Sequence, residues 1–193
     1  MIVETLSFGS EERVLGITEI ENLDRLSSDD LIASAQTVAG DLMAIRLINP
    51  DLIAAPIHLI SAAQNALNAW AGEYKIARSL DVEILVYASA QTQIGRALQL
   101  LGLHDDQASV GVIMVSEDGK SLEEALQTLL SMVGPECPTP FAASESRLRR
   151  VAEAFGVSET EMSTLKAGDS IEDRIEALAR CVVSRVSLVA VES

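Results

Sequence analysis

Apolar and polar positions alternate along the chain so as to divide it into short strands and amphipathic helices. Val3 to Phe8 and Arg13 to Ile20 read as two strands joined by the turn formers Gly9 and Ser10. Ser28 offers a helix N-cap, with Asp29 and Asp30 in the first turn, where the helix dipole favours negative charge. Leu31, Ala35 and Val38 supply the apolar stripe of that helix and Gly40 its stop, after which Leu42 to Ile48 is a continuous apolar strand signal closed by Asn49-Pro50. Pro56 fits the first turn of a longer helix on which Ile57, Ile60, Leu67 and Trp70 share a face assigned to the core. Beside that face run a polar, uncharged stripe, His58, Ser61, Asn65 and Asn68, and a small-residue stripe, Ala62, Ala66 and Ala69.

Tyr74 to Leu80 is a short helical or turn segment, and Val82 to Tyr87 reads as a second buried strand. Ser89 is the expected cap of a helix carrying Ile94, Ala97, Leu98 and Leu101 and ending at Gly102. Ser109 to Val115 is another strand, and Ser121 with Glu124 forms a capping box for a helix through Leu126, Leu129 and Val133. Residues 134–140 hold three of the five prolines and form a connector. Beyond it everything is helical: Ser144 to Phe155, a turn opened by the capping pair Ser158 and Glu161, and a last helix from about Ser170. Ile171, Ile175, Leu178, Val182, Val186 and Val189 give that last helix a narrow apolar seam. The expected class is α+β, one domain with a small, mostly antiparallel or mixed sheet of about five strands packed by helices. Residues 1–134 form its α/β core and 141–193 an all-helical C-terminal segment.

The length of 193 residues suits one such domain and buries roughly 70% of the unfolded surface. Twenty-nine acidic against fourteen basic residues give a net charge of −15, which excludes a surface that is wholly a counterion for phosphate but leaves room for a local basic patch. The two cysteines, Cys137 and Cys181, are too few for a disulfide scaffold or a four-thiolate zinc site and read as reduced thiols. Neither a signal peptide nor a membrane-spanning run is recognisable, so a soluble, cytoplasmic protein is expected.

Catalytic signatures are missing. No glycine-rich phosphate loop follows a strand, there is no Gly-x-Ser-x-Gly elbow, and His58 and His104 are not at ligand spacing, so neither cofactor nor metal is expected. His58 as a general base would have amides beside it, Asn65 and Asn68, and no nucleophile. The polar stripe His58, Ser61, Asn65 and Asn68 as the wall of a small-molecule pocket or enzyme site is nevertheless the alternative class of function, with a self-associating scaffold as a third. Lys75, Arg78 and Arg96 cluster around the segment 82–87, and Arg147, Arg149 and Arg150 form a second basic group.

Several segments, taken in order, resemble the kinase-binding subunit of the KEOPS (EKC) complex, the TPRKB-like family, with an archaeal form as the nearest type. The series opens on Ile48-Asn49-Pro50, His58-Leu59 and the Ala-rich Ala62-Ala63-Gln64-Asn65-Ala66-Leu67. It continues through Ile76-Ala77-Arg78-Ser79-Leu80, Val82-Glu83-Ile84-Leu85-Val86-Tyr87-Ala88-Ser89, Gln93-Ile94 and Leu101-Gly102. It closes on Phe155-Gly156-Val157 and Val183-Ser184-Arg185-Val186-Ser187-Leu188. The resemblance implies a non-catalytic regulatory subunit. Such a subunit binds and activates a small atypical kinase, stands indirectly beside a sugar-kinase-like ATPase, and helps bring the CCA end of tRNA to threonylcarbamoyl-adenosine synthesis, with no DNA or membrane partner. Ile94, Leu98, Leu101, Val182 and Val186 are the expected kinase contacts and Lys75, Arg78 and Arg96 the expected tRNA contacts. Thr92 stands where the family commonly has a basic residue, which weakens that RNA contact or moves it to Lys75 or Arg96.

Overall fold

The computed structural model describes residues 1–40, 42–72 and 74–192. Four strands, β1 (Ile2–Phe8), β2 (Glu11–Glu21), β3 (Ala44–Ile48) and β4 (Ser109–Ser116), make one antiparallel sheet in the order β1-β2-β4-β3. Helices α1 (Ser28–Val38) and α5 (Gly119–Val133) cover one face, where Leu31, Leu47, Val112, Met114 and Leu126 meet. Helices α2 (Pro56–Ala71), α3 (Leu80–Ala88), α6 (Glu145–Phe155) and α8 (Ile171–Glu192) cover the other, where Leu15, Ile17, Ile113 and Val115 meet Leu67, Ile84 and Leu178. The short helices α4 (Ile94–Leu101) and α7 (Glu159–Leu165) sit outside this second layer. Alternate residues of β4 feed the two cores, which is why that strand is apolar throughout and lies between two neighbours.

The connector completes the sheet. β1 pairs with β2 only as far as Ile17, and beyond it the Glu21 amide donates to the Pro135 carbonyl (2.9 Å) and the Cys137 amide to the Glu19 carbonyl (2.8 Å). Gly134 is required there: its φ is +153°, and a Cβ would stand against the Glu21 carbonyl. The far edge of β1 is engaged by α2, whose Gln64 amide accepts from the Ser7 N–H (3.0 Å) and donates to the Ser7 carbonyl (2.9 Å), as a neighbouring strand would.

Several expectations are corrected. Residues 82–87 are helix α3, not a strand, so the sheet has four strands rather than five. This helix touches α2, α4, α8 and β3, and a helix enclosed on most sides shows no amphipathic stripe. Ser27, not Ser28, caps α1; Asp118, not Ser121, caps α5; and Ser89 closes α3 rather than opening α4. The core face of α2 is Leu59, Ala62, Ala63, Ala66 and Leu67, with Ile57 exposed and Ile60 and Trp70 only partly buried. The seam of α8 does pack against α2, and the capping box of Ser158 and Glu161 is complete.

The turn after α3 is a Schellman motif with alanine in the left-handed position. The Gln91 amide reaches the Val86 carbonyl, the Ala90 amide the Tyr87 carbonyl, and Ala90 has φ +50°. A side chain there costs about 1–2 kcal/mol, partly offset by the entropy that glycine loses on folding. Ala90→Gly therefore raises the free energy of unfolding by about 0.5–1 kcal/mol, read by urea titration; an unchanged or lower midpoint would contradict the strain.

Candidate functional site

The loop between α2 and α3 is built around a buried charge. Glu83, inside α3 and fully buried, accepts from the Ile76 amide (3.1 Å to each oxygen) and the Ala77 amide (2.5 Å). The loop is thereby pinned from within, and Lys75 and Arg78 stand exposed on it. The Lys75 ammonium lies 4.0 Å above the Trp70 ring, and Tyr74 is exposed beside it. Below, the buried Tyr87 hydroxyl has no partner among the described residues, and burial together with the Glu83 charge pushes its pKa up to about 12.

Positive charge is scarce and largely spoken for. Nine of the fourteen basic residues sit in ion pairs, and among the described residues the five that do not are Arg25, Lys75, Arg78, Arg96 and Arg149. Lys75 and Arg78 share the pinned loop, and Arg96 stands exposed on α4. The second basic group does not survive as a patch, since Arg147 is buried and Arg150 pairs with Asp51 (3.0 Å), leaving Arg149 exposed.

The five residues expected to meet a kinase divide. Ile94 (36% exposed) and Leu98 (43%) project from α4, while Leu101, Val182 and Val186 are wholly buried among α2, α3 and α8. A narrow repeat of branched residues is a packing seam, and on α8 that seam is used within the chain. Outside, α8 leaves Val191 and Leu188 (52% exposed), the latter bordering a shallow hollow of about 170 Å³ with Ala90, Gln91 and Phe155. The hollow thus joins an apolar side chain of α8 to the strained turn at Ala90.

The polar stripe of α2 does not converge on a pocket. His58 is fully buried, its Nε2 donating to the Ala88 carbonyl (2.7 Å), its Nδ1 accepting from the Ala54 amide (3.4 Å), and its ring edge-on to Phe155. Burial pulls its pKa down to about 4, with the Ala88 bond opposing. Asn65 donates to the Ser61 carbonyl one turn back (2.8 Å), and Asn68 accepts from Gln64 (2.9 Å). His58 is a structural link between α2 and α3, not a base facing substrate. Cys137 is no better a nucleophile: burial, then Glu19, Glu21 and Glu136, push its thiol up to about 11. Among the described residues no cluster of three or more His, Cys, Asp or Glu has the geometry to hold a metal, and no helix is long and apolar enough to cross a membrane.

Sequence reasoning missed the buried charges that organise these surfaces, Glu83, Glu19 and Arg147. A single carboxylate inside an otherwise apolar run, as in Ile17-Thr18-Glu19-Ile20 and Val82-Glu83-Ile84, was the available signal.

The chain is 28% identical over 116 residues to "Regulatory protein Cgi121" of Methanocaldococcus jannaschii, an alignment covering 60% of this chain and 72% of that protein. The family described as "Kinase binding protein CGI-121" matches residues 18–190, from the end of β2 to the last turn of α8. The chain therefore belongs to the kinase-binding protein CGI-121 family.

Proposed function

We propose that the protein is a non-catalytic regulatory subunit that docks on the small atypical kinase of a KEOPS-type complex, activates it, and helps hold tRNA for threonylcarbamoyl-adenosine synthesis. The observation that carries the kinase part is the apolar surface that α4 and α8 each leave outside the core, Ile94 and Leu98 on the first and Leu188 on the second, in a chain that is otherwise strongly acidic. Large exposed apolar side chains suit a protein partner, and the charge of −15 disfavours non-specific association. Leu101, Val182 and Val186 serve the interface by holding α4 and α8 in place rather than by touching the partner. The loop carrying Lys75 and Arg78, with Arg96 on α4, supports the tRNA part, because none of these cations is in an ion pair among the described residues and Lys75 adjoins exposed Tyr74.

Calorimetric titration with the cognate kinase tests the first part. Leu98→Asp weakens binding at least about tenfold, as burying an unpaired charge at an interface core requires, whereas Arg180→Ala, remote on α8, leaves it unchanged. Equal affinity of Leu98→Asp and the parent chain would refute this interface. For tRNA, the double variant Lys75→Glu, Arg78→Glu binds more weakly and lowers the salt slope by about 2, and an unchanged slope rejects the RNA part alone.

A further inference from the structure

The chain between α2 and α3 is tied to both helices at its ends and to a single side chain in its middle. The Tyr74 amide donates to the Ala69 carbonyl (3.1 Å) at the entry, and the Glu83 amide donates to the Ser79 carbonyl (3.0 Å) at the exit. Among the described residues, the only hydrogen bonds of residues 75–78 are those that the Ile76 and Ala77 amides donate to the Glu83 carboxylate. Glu83 in turn spends all its side-chain hydrogen bonds on this loop and is in no ion pair among the described residues. A fully buried carboxylate without a counter-charge, in the otherwise apolar run Val82 to Val86, is a costly choice where leucine would extend the core. What it supplies and leucine would not is two acceptor oxygens for two successive loop amides. Those amides lie between the exposed Lys75 and Arg78, so fixing them fixes the main chain from which both cations project.

We propose that Glu83 is the positioning residue of an RNA-binding loop: from inside the fold it holds Lys75 and Arg78 in place before RNA arrives. The inference rests on the RNA reading of this loop given above. Glu83 itself is buried and touches no RNA. Its effect falls on affinity, because a loop ordered in advance has less conformational freedom to lose on binding. It does not fall on the number of phosphates neutralised, which the salt dependence counts. Glu83 and the two cations are thereby separable: loss of the cations lowers affinity and slope together, and loss of the carboxylate lowers affinity alone. The Lys75 ammonium over the Trp70 ring gives the loop a built-in reporter, since Trp70 is the single tryptophan of the chain.

The test titrates an unmodified tRNA transcript into the full chain and its variants over a range of salt concentrations. Glu83→Gln keeps the shape but has one acceptor oxygen, and its NH2 group presents a donor to the loop amides. The expected result is an affinity about five- to tenfold lower than the parent's, with a salt slope within about 0.5 of it. Trp70 emission in Glu83→Gln moves toward that of Lys75→Ala. Two measurements leave the buried carboxylate in place and so do not depend on how Glu83→Gln folds. In the parent chain the Ile76 and Ala77 amides are protected from exchange at least about tenfold more than those of Lys75 and Arg78. Ser79→Gly, at the exposed exit of the loop, loosens the same segment and weakens tRNA binding about two- to fivefold at an unchanged slope. Parent-like affinity of Glu83→Gln or Ser79→Gly, a lowered slope for either, unchanged Trp70 emission, or equal protection along residues 75–78 would each overturn the proposal. If Lys75→Glu, Arg78→Glu still weakens binding, such a result removes Glu83 and leaves the RNA reading; a cation double variant that binds like the parent removes both.

Discussion

Replacing Arg147 by alanine lowers the free energy of unfolding by about 3–5 kcal/mol. Its guanidinium donates to the carbonyls of Pro50, Ile53 (2.9 Å) and Ala142 (3.1 Å), lies 4.0 Å from Glu19 and rests over the Phe141 ring. Glu19 in turn accepts from the Phe141 amide (2.7 Å) and the Ser109 hydroxyl (2.6 Å), and Phe141 is held at φ +55°. Removing the cation takes a donor from three carbonyls, of which Pro50 still accepts from the Ile53 amide, and leaves a buried carboxylate without its counter-charge, at the point where β2, the connector, α6 and the Pro50 turn meet. Burial lowers the Arg147 pKa while Glu19 and Asp51 raise it again, so the neighbouring carboxylates are what keep the charge tolerable. Urea unfolding followed by circular dichroism gives the measurement. The neighbouring exposed Arg149→Ala changes stability by less than about 0.5 kcal/mol, and a loss below about 1 kcal/mol for Arg147→Ala would mean that the network is slack.

Acid removes a second large contribution. In the folded chain His58 stays neutral down to about pH 4, whereas in the unfolded chain it takes up a proton near its ordinary value of 6.5. Between those values the unfolded state binds the extra proton, so stability falls as pH falls. The contribution is complete above about pH 6.5 and lost as pH drops through 4, and it amounts to about 3 kcal/mol. The free energy of unfolding measured from pH 7 to 4 therefore drops more steeply for the parent chain than for His58→Gln. Parallel curves for the parent and His58→Gln would show that the imidazole is not shielded. Long-range nitrogen–proton NMR spectra give an independent check, with the Nε2–H tautomer persisting well below pH 6.

Much of the fold was legible because surface strands and amphipathic helices advertise their period. Val3 to Phe8, Arg13 to Ile20 and Ser109 to Val115 fall within the observed strands, and Ser144 and Ser158 cap the helices assigned to them. The run 82–87 failed for a reason internal to the method: seven of the nine residues of α3 are buried, and burial on every side erases both the period of 2 and the period of 3.6. The site was half legible. Lys75, Arg78 and Arg96 are exposed as composition suggested, and Ile94 and Leu98 project. Leu101, Val182 and Val186 were indistinguishable from them in sequence because apolarity alone does not say whether a residue meets its own chain or another. Arg147 was read with its neighbours as a surface cation. Three carbonyls from segments distant in sequence bury it, and such contacts have no local signature.

The packing of α2 against α8 also sets a clock. Residues 56–71 and 171–192 form one contact layer, with about 100 residues between them, and at ~5–20 residues per second a ribosome needs roughly 5–20 s to bridge that gap. Throughout this interval Leu59, Ala62 and Ala66 have no final cover. The nascent chain spends that time with an open apolar face, which makes it a client for a holding chaperone until α8 arrives.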